Sequence, residues 1–164
     1  MPYYMKVDGM AELSTLLTQM AEKAPAVAAK ALYEGAGVMR EELAKGASTI
    51  KTAPFKYAKG GETRLPSPEE LAVVNRTHVG IAKFDKNGTE VNTSVGYANA
   101  GYTKMAGKTV PIPKIVNAIN SGTSFMNKQP FVRRAAKIGE PKAMKALKDA
   151  IQTEFDAMIK NNGG

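Results

Sequence analysis

The chain has 164 residues, 43% of them hydrophobic, and a formal net charge of +8. A chain of this length and composition can bury one core, so we predict a single domain over residues 1–164. The lack of cysteine excludes disulfides, thiolate metal sites and cysteine nucleophiles, and the lone histidine, His78, excludes a centre with several histidine ligands.

The sequence carries no recognisable membrane or secretion signal. No apolar run approaches the roughly 18 to 20 residues of a spanning helix, and no basic region followed by an apolar block opens the chain. We therefore expect a soluble protein that is made and assembled in the cytoplasm.

The first third of the chain is typical of a strand followed by two helices. Residues 3–7 alternate as in a short strand, and Asp8 and Gly9 then allow a turn and a helix cap. An apolar stripe predicts a first helix that ends near Lys23. Pro25 suits the first turn of a second helix, which continues to about Gly46.

The second predicted helix is rich in small residues, among them Gly35, Ala36 and Gly37. Small side chains let another backbone approach closely. That backbone belongs either to the same monomer or to a neighbouring subunit, and packing within the monomer is the favoured alternative.

Residues 47–66 contain several prolines and glycines and show no sustained hydrophobic period, which predicts a long flexible loop. Phe55 and Tyr57 lie between lysines in this loop, but two aromatic residues are too few for a base-stacking platform. We predict that the loop becomes ordered on assembly. Its basic residues are Lys51, Lys56, Lys59 and Arg64.

The middle of the chain predicts a short helix and a β-hairpin. Ser67 and Glu70 have the spacing of a capping box, so these residues and Glu69 are expected to cap a helix. Residues 77–84 and 90–97 are strand-like, and the turn-forming residues 85–88 between them favour a hairpin. Residues 97–107 are predicted to be a connection, with a further edge strand as an alternative.

The last third predicts two turns and two more helical segments. The apolar run 112–119 should form a short helix that stops at Asn120 and Gly122. Pro130 suits the start of the next helix, in which Phe131 is predicted to be a buried core plug. A final helix follows Pro141, and residues 161–164 are expected to fray.

These elements predict the α+β class. We expect a small antiparallel sheet with a central hairpin, packed against two N-terminal helices and a C-terminal helix, with the long flexible loop at 47–66.

The usual catalytic motifs are missing from the sequence. It has no P-loop, no dinucleotide-binding glycine pattern and no serine elbow. The adjacent acidic pairs Glu41–Glu42 and Glu69–Glu70 lie on predicted helices, where neighbouring side chains diverge. His78 lies in a strand pattern, which is more typical of a surface residue than of a general base. We predict that the protein is not an enzyme and uses no cofactor or metal.

Two segments carry a family resemblance. Residues 120–136 join a Gly-Thr-Ser turn to a Pro-Phe helix start followed by arginine and alanine, and residues 5–13 place a short strand before a Gly-Met-Ala-Glu-Leu helix start. This pattern resembles the tail-completion, or head-tail joining, proteins of long-tailed double-stranded DNA bacteriophages. The resemblance implies a structural virion component of the neck that is assembled in the host bacterial cytoplasm.

The resemblance also implies partners and an interface. It predicts a homo-oligomeric ring, with a hexamer fitting the symmetry of the tail, which contacts the tail tube or terminator and the head connector proteins. Packaged DNA would be touched without sequence preference. The residues predicted to form the assembly interface are Gly122, Thr123, Ser124, Phe125, Met126, Pro130, Arg133 and Arg134.

The charge distribution supports a rival hypothesis, a small basic DNA-binding protein. Residues 51–139 carry fourteen basic and five acidic side chains, whereas the flanking parts are nearly balanced. The rival predicts steeply salt-dependent duplex binding, and the assembly hypothesis predicts weak or no binding by the free subunit. A third alternative, an antitoxin or host-regulatory protein, lacks a helix-turn-helix signal.

Overall fold

A computed structural model describes residues 10–83, 85–87, 90–97 and 100–162 of the chain. The strand predicted at residues 3–7 lies outside this range. The described elements, in chain order, are α1 (Met10–Ser48), α2 (Pro68–Arg76), β1 (Gly80–Ile81), β2 (Asp85–Asn87), β3 (Glu90–Asn92), β4 (Val95–Gly96), β5 (Tyr102–Met105), β6 (Lys108–Pro111), α3 (Ile112–Ser121) and α4 (Phe131–Asn162).

The two long helices, α1 and α4, pack side by side in antiparallel directions. Their backbones come close because glycine stands at the contacts. A Cβ atom at Gly46 would lie 3.1 Å from the Cβ of Ala135, and one at Gly35 would lie 3.4 Å from the carbonyl oxygen of Ala143. The prediction that the small residues of the N-terminal helix pack within the monomer is therefore confirmed at these positions.

Ion pairs also link the two helices. The Glu42 carboxylate, 8% exposed, accepts a hydrogen bond of 2.7 Å from Lys142 on α4 and one of 3.1 Å from Lys45. These lysines lower the pKa of Glu42, with Lys142 contributing most. Lys30 pairs with Glu154 at another point of the contact between α1 and α4, which we call the α1–α4 seam.

Both predicted helix breaks at proline are wrong. α1 runs through Pro25 and α4 runs through Pro141, so the two predicted N-terminal helices are one helix of 39 residues. A proline inside a helix removes one hydrogen bond and costs about 3 kcal/mol. Packing between α1 and α4, which begins at Val27 on α1, offsets that cost. α4 continues to Asn162, and Gly163 and Gly164 of the terminus that was predicted to fray lie outside the described residues.

The strands form three antiparallel pairs, β1–β4, β2–β3 and β5–β6. The first two pairs make the predicted central hairpin, whose ladder extends to Asn87 opposite Glu90. Residues 85–87 of the predicted turn are therefore strand, and Gly88 lies outside the described residues.

The third pair confirms the alternative of a further strand within residues 97–107, because β5 covers Tyr102–Met105. It turns at Ala106 and Gly107, whose φ angles of 48° and 76° suit a tight hairpin. The α+β class is confirmed.

The core lies at one end of the helix pair. It joins the C-terminal turns of α1 to the first turns of α4 and to α2, α3 and the strands. Phe131 is 0% exposed there, with its ring centroid 6.3 Å from that of Tyr97, which confirms its prediction as a core plug. None of the described helices combines the length and the apolar character needed to cross a bilayer.

Candidate assembly interface

The Gly-Thr-Ser turn is held by its own backbone and by one side chain. Gly122 ends α3 with a φ of 77°, and a Cβ atom there would lie 3.0 to 3.2 Å from atoms of Lys128. Thr123 Oγ1 accepts hydrogen bonds from the backbone N–H groups of Phe125 (3.3 Å) and Met126 (3.0 Å). The shape of the turn therefore depends on glycine and threonine at these two positions.

The turn also fixes the start of α4. Asn120 Oδ1 accepts a hydrogen bond of 3.1 Å from the backbone N–H of Val132, and the N–H of Gln129 donates to the Ile119 carbonyl at 2.8 Å. Asn120 thus satisfies a free N–H group at the beginning of a helix that starts eleven residues later. The sequence indicated a helix stop at Asn120 but not this second role.

The long loop is attached to the turn, although the two are far apart in sequence. The N–H of Arg64 donates to the Phe125 carbonyl and the N–H of Asn127 donates to the Arg64 carbonyl, both at 2.8 Å. The Gln129 side chain accepts from the N–H of Lys51 (2.9 Å) and donates to its carbonyl (2.8 Å). Residues 51–64 and 122–130 therefore form one continuous surface, which we call the turn–loop surface.

Arg64 has a different role from the other basic residues of the loop. Its guanidinium makes two hydrogen bonds to the Glu70 carboxylate, at 2.7 and 2.8 Å, and the two side chains are 12% and 13% exposed. The same guanidinium lies 4.8 Å from the centre of the Phe55 ring. Arg64 was predicted as a free basic residue of a flexible loop; it is instead a partly buried anchor.

The capping box predicted at the start of α2 is confirmed and extends this anchor. Ser67 Oγ accepts from the N–H of Glu70 (3.2 Å), and Glu70 accepts from the N–H of Ser67 (2.8 Å). Burial alone would raise the pKa of Glu70. The hydrogen bonds from Arg64 and Ser67 outweigh burial and hold its pKa below the ordinary value.

Aromatic side chains are exposed on the turn–loop surface. Tyr57 is 84% exposed and packs edge-on against Phe55, which is 54% exposed, with 5.0 Å between the ring centroids. Phe125 projects from the turn and is 48% exposed. Exposed aromatic residues of this size are typical of protein interfaces. Three lysines of the loop, Lys51, Lys56 and Lys59, are also exposed.

The structure divides the predicted interface residues into three groups. Thr123, Ser124, Phe125, Arg133 and Arg134 are exposed. Gly122 and Pro130 are half-buried. Met126 is 3% exposed and packs in the core, because the backbone bridge to Arg64 turns this position inward, so its prediction as an interface residue is wrong.

An apolar groove that sequence analysis did not predict runs between α1, α4 and β4, with a volume of about 410 Å³. Leu32, Met39, Val95, Met144 and Leu147 line it. The sequence gives little indication of this groove, because its lining residues come together only where the hairpin contacts both long helices.

The titratable residues of the described chain do not gather into a metal site: no group of three or more histidine, aspartate or glutamate side chains comes together there. His78 is exposed in the connection that precedes β1, which agrees with its prediction as a surface residue. It lines a shallow depression with Arg40, Glu41 and Asn75.

Comparison of the chain with protein-family models, with curated proteins and with solved structures finds no match in any of the three.

Proposed function

We propose that the protein is a structural component of a bacteriophage neck, where it completes the tail and joins it to the head connector as one subunit of a ring. The proposal rests on the sequence resemblance at residues 5–13 and 120–136. The observation that carries it is the turn–loop surface, because the segment with that resemblance and the long basic loop present their exposed aromatic residues together.

The turn–loop surface has the properties of an assembly contact. Phe55, Tyr57 and Phe125 offer apolar area that a partner can bury, while Arg64 and Gln129 hold the backbone beneath them. The anchors at Lys51 and Arg64 reduce the entropy that the loop loses when a partner docks, and the largely exposed segment 54–63 between them is the part that would become ordered on binding. Contacts between different surfaces of identical subunits close into rings when the rotation between subunits allows it.

A ring around the tail axis accounts for the remaining features of the proposal. A hexamer matches the symmetry expected of the tail, and the two ends of the ring would contact the tail tube or terminator and the head connector. The site of action would be the virion neck, after assembly in the bacterial cytoplasm.

Truncating Phe125 tests the proposal. The Phe125→Ala variant should fold normally, since this side chain is 48% exposed, but should fail to join purified tails to filled heads in electron micrographs. Tyr102→Ala is the matched control, because Tyr102 is 72% exposed on β5, outside the turn–loop surface. If the two variants join tails to heads equally well, the turn–loop surface is not the assembly contact.

A charge reversal at Arg133, on the first turn of α4, is a second test of the predicted assembly interface. Arg133→Glu should spare the fold, because the side chain is exposed, and should weaken oligomer formation and tail attachment. If both remain intact, Arg133 does not belong to the interface.

Limited proteolysis tests whether the loop is involved in assembly. Cleavage within residues 51–63 should be rapid in the isolated protein and slow after assembly, since a partner on the turn–loop surface would cover this segment. Equal protection in both states would show that the loop has no part in the contact.

A further inference from the structure

One face of α4 is strongly basic. Between Arg133 and Lys148 the helix has six basic residues and one acidic residue, Glu140. At about 100° per residue, five of the six basic residues fall within about 120° of the helix circumference. We call these five the α4 basic face; they are Arg133, Arg134, Lys137, Lys145 and Lys148.

The α4 basic face is open to solvent. It lies roughly half a turn around the helix from Gly139 and Ala143, which contact α1. All five side chains are exposed, and no carboxylate of the described residues forms an ion pair with them. The sixth basic residue, Lys142, is different because it pairs with Glu42 in the seam.

Helix stability does not explain this arrangement. Arg133 and Lys137 are four residues apart, and Lys145 and Lys148 are three apart, so like charges face each other along the helix. Glu140 and Asp149 stand at similar spacings from Lys137 and Lys145, but neither carboxylate forms an ion pair with the face, so the repulsion is only partly offset. Arg133 and Arg134 also stand at the N-terminus, where the helix dipole disfavours positive charge. A polyanion bound to the face would remove both penalties.

We propose that the α4 basic face binds the phosphate backbone of a nucleic-acid duplex without sequence preference. From residue 133 to residue 148 the helix advances about 22 Å at 1.5 Å per residue. Duplex DNA presents about 13 phosphate charges over that length, counted on both strands, which exceeds the five basic side chains of the face.

The composition of the face favours this partner over a protein or a membrane. Protein interfaces are depleted of lysine and centred on apolar or aromatic anchors, whereas three of the five residues here are lysines. An interfacial membrane helix needs a continuous free apolar face. Most small and apolar residues of α4 pack against α1, and its exposed apolar side chains, Ile138, Met144 and Ile159, are separated along the helix and form no continuous stripe.

This inference does not depend on the proposed neck function, and with it duplex binding alone no longer separates that function from the rival DNA-binding hypothesis; ring formation and attachment to tails do. It concerns weak binding by the chain itself, with the micromolar to submillimolar affinity typical of non-specific contacts. It also changes where the basic surface is expected. The sequence indicated an excess of positive charge over residues 51–139 as a whole, whereas the α4 basic face lies within residues 133–148.

Salt-dependent binding of the purified chain to a 30-base-pair DNA duplex tests the inference by fluorescence anisotropy. Five phosphate contacts predict a slope of about −4.5 in a plot of log affinity against log salt, which is about a 500-fold loss between 50 and 200 mM salt. The triple variant Lys137→Gln, Lys145→Gln, Lys148→Gln should reduce the slope to about −1.8, a loss of about 12-fold over the same range.

Two matched variants complete the test. Lys51→Gln, Lys56→Gln, Lys59→Gln removes the same charge from the loop and should keep the original slope. Replacing Lys137, Lys145 and Lys148 by arginine should also keep it, and circular dichroism verifies that each variant is helical. Arg133 and Arg134 are unchanged throughout, so a failure of this test does not bear on the neck interface.

Three results would overturn the inference. The first is a salt slope near zero for the unmodified chain. The second is an equal loss of slope in the loop variant and the α4 variant. The third is binding to vesicles that contain phosphatidylserine as tight as binding to the duplex, which would make the partner a membrane surface.

Discussion

At the scale of single residues, Phe131 connects the turn–loop surface to the core. Its side chain is 0% exposed and packs near Tyr97, so truncation leaves a cavity that the surroundings fill only in part. Phe131→Ala should lower the free energy of unfolding by about 3 to 5 kcal/mol, measured by urea denaturation.

Phe125→Ala provides the comparison for this measurement. The Phe125 side chain is 48% exposed, and a surface substitution of this kind is expected to change stability by about 0.5 kcal/mol or less. If Phe131→Ala proves as stable as Phe125→Ala, Phe131 is not a core plug.

Glu70 makes stability depend on pH. Its pKa in the folded protein lies below the ordinary value of 4.5 despite burial, because of hydrogen bonds from Arg64 and Ser67. A carboxyl group with a lowered folded pKa contributes stability that is complete above the unfolded pKa and is lost as pH falls through the folded pKa. Urea denaturation at a series of pH values should therefore show stability falling below about pH 4.5, and Glu70→Gln should reduce that fall.

The neighbouring residue supplies the control for the pH series. Glu69 is exposed and outside the capping hydrogen bonds, so Glu69→Gln should keep the acid sensitivity of the unmodified protein. Full acid sensitivity in Glu70→Gln would contradict the assignment of this pH dependence to Glu70.

Residue roles that depend on local spacing could be predicted from the sequence. The capping box of Ser67 and Glu70 spans three residues, and Phe131 follows Pro130 at a helix start. The contact between Gln129 and Lys51 could not be predicted, because it joins residues 78 apart and replaces a backbone ladder with a side-chain amide.

At the scale of elements, the α1–α4 seam depends on which glycines face it. A Cβ atom at Gly37 meets nothing within 4 Å, whereas one at Gly46 would lie 3.1 Å from Ala135 Cβ and 3.2 Å from the Phe131 carbonyl oxygen. Gly37→Ala should raise the free energy of unfolding by about 1 kcal/mol, since alanine favours a helix interior over glycine. Gly46→Ala should lose this gain to the close contacts, and thermal denaturation compares the two. Equal gains at both positions would contradict close packing at Gly46.

Helix and strand boundaries were predicted less well than their existence. The prolines at 25 and 141 indicated helix breaks, because proline lacks a backbone N–H and disfavours a helix interior. Packing between the two long helices outweighs this local cost in free energy. The β5–β6 hairpin was difficult to predict from the sequence, because its turn places Ala106 before Gly107 and alanine rarely adopts a positive φ. The β2–β3 hairpin was predicted because the asparagine–glycine pair favours a reversal of the chain, although Asn87 itself belongs to β2.

At the scale of the whole molecule, different regions carry the two proposed contacts. The core end of the helix pair presents the turn–loop surface, and the outer face of α4 presents basic charge along its first half. A ring that used the turn–loop surface between subunits would leave Lys137, Lys145 and Lys148 of the α4 basic face free for the duplex, and Arg133 and Arg134 lie where the two contacts meet. The sequence could not predict this division, because it follows from the contact between residues near 64 and residues near 125.

The central claim is that the chain assembles through the turn–loop surface. Its most direct test is the mass of the purified protein in solution by light scattering, over a range of concentrations, with electron microscopy of samples mixed with purified tails. We predict rings, or monomers that become ordered at tail ends, for the unmodified chain. A protein that stays monomeric at every concentration and does not attach to tails would contradict the account.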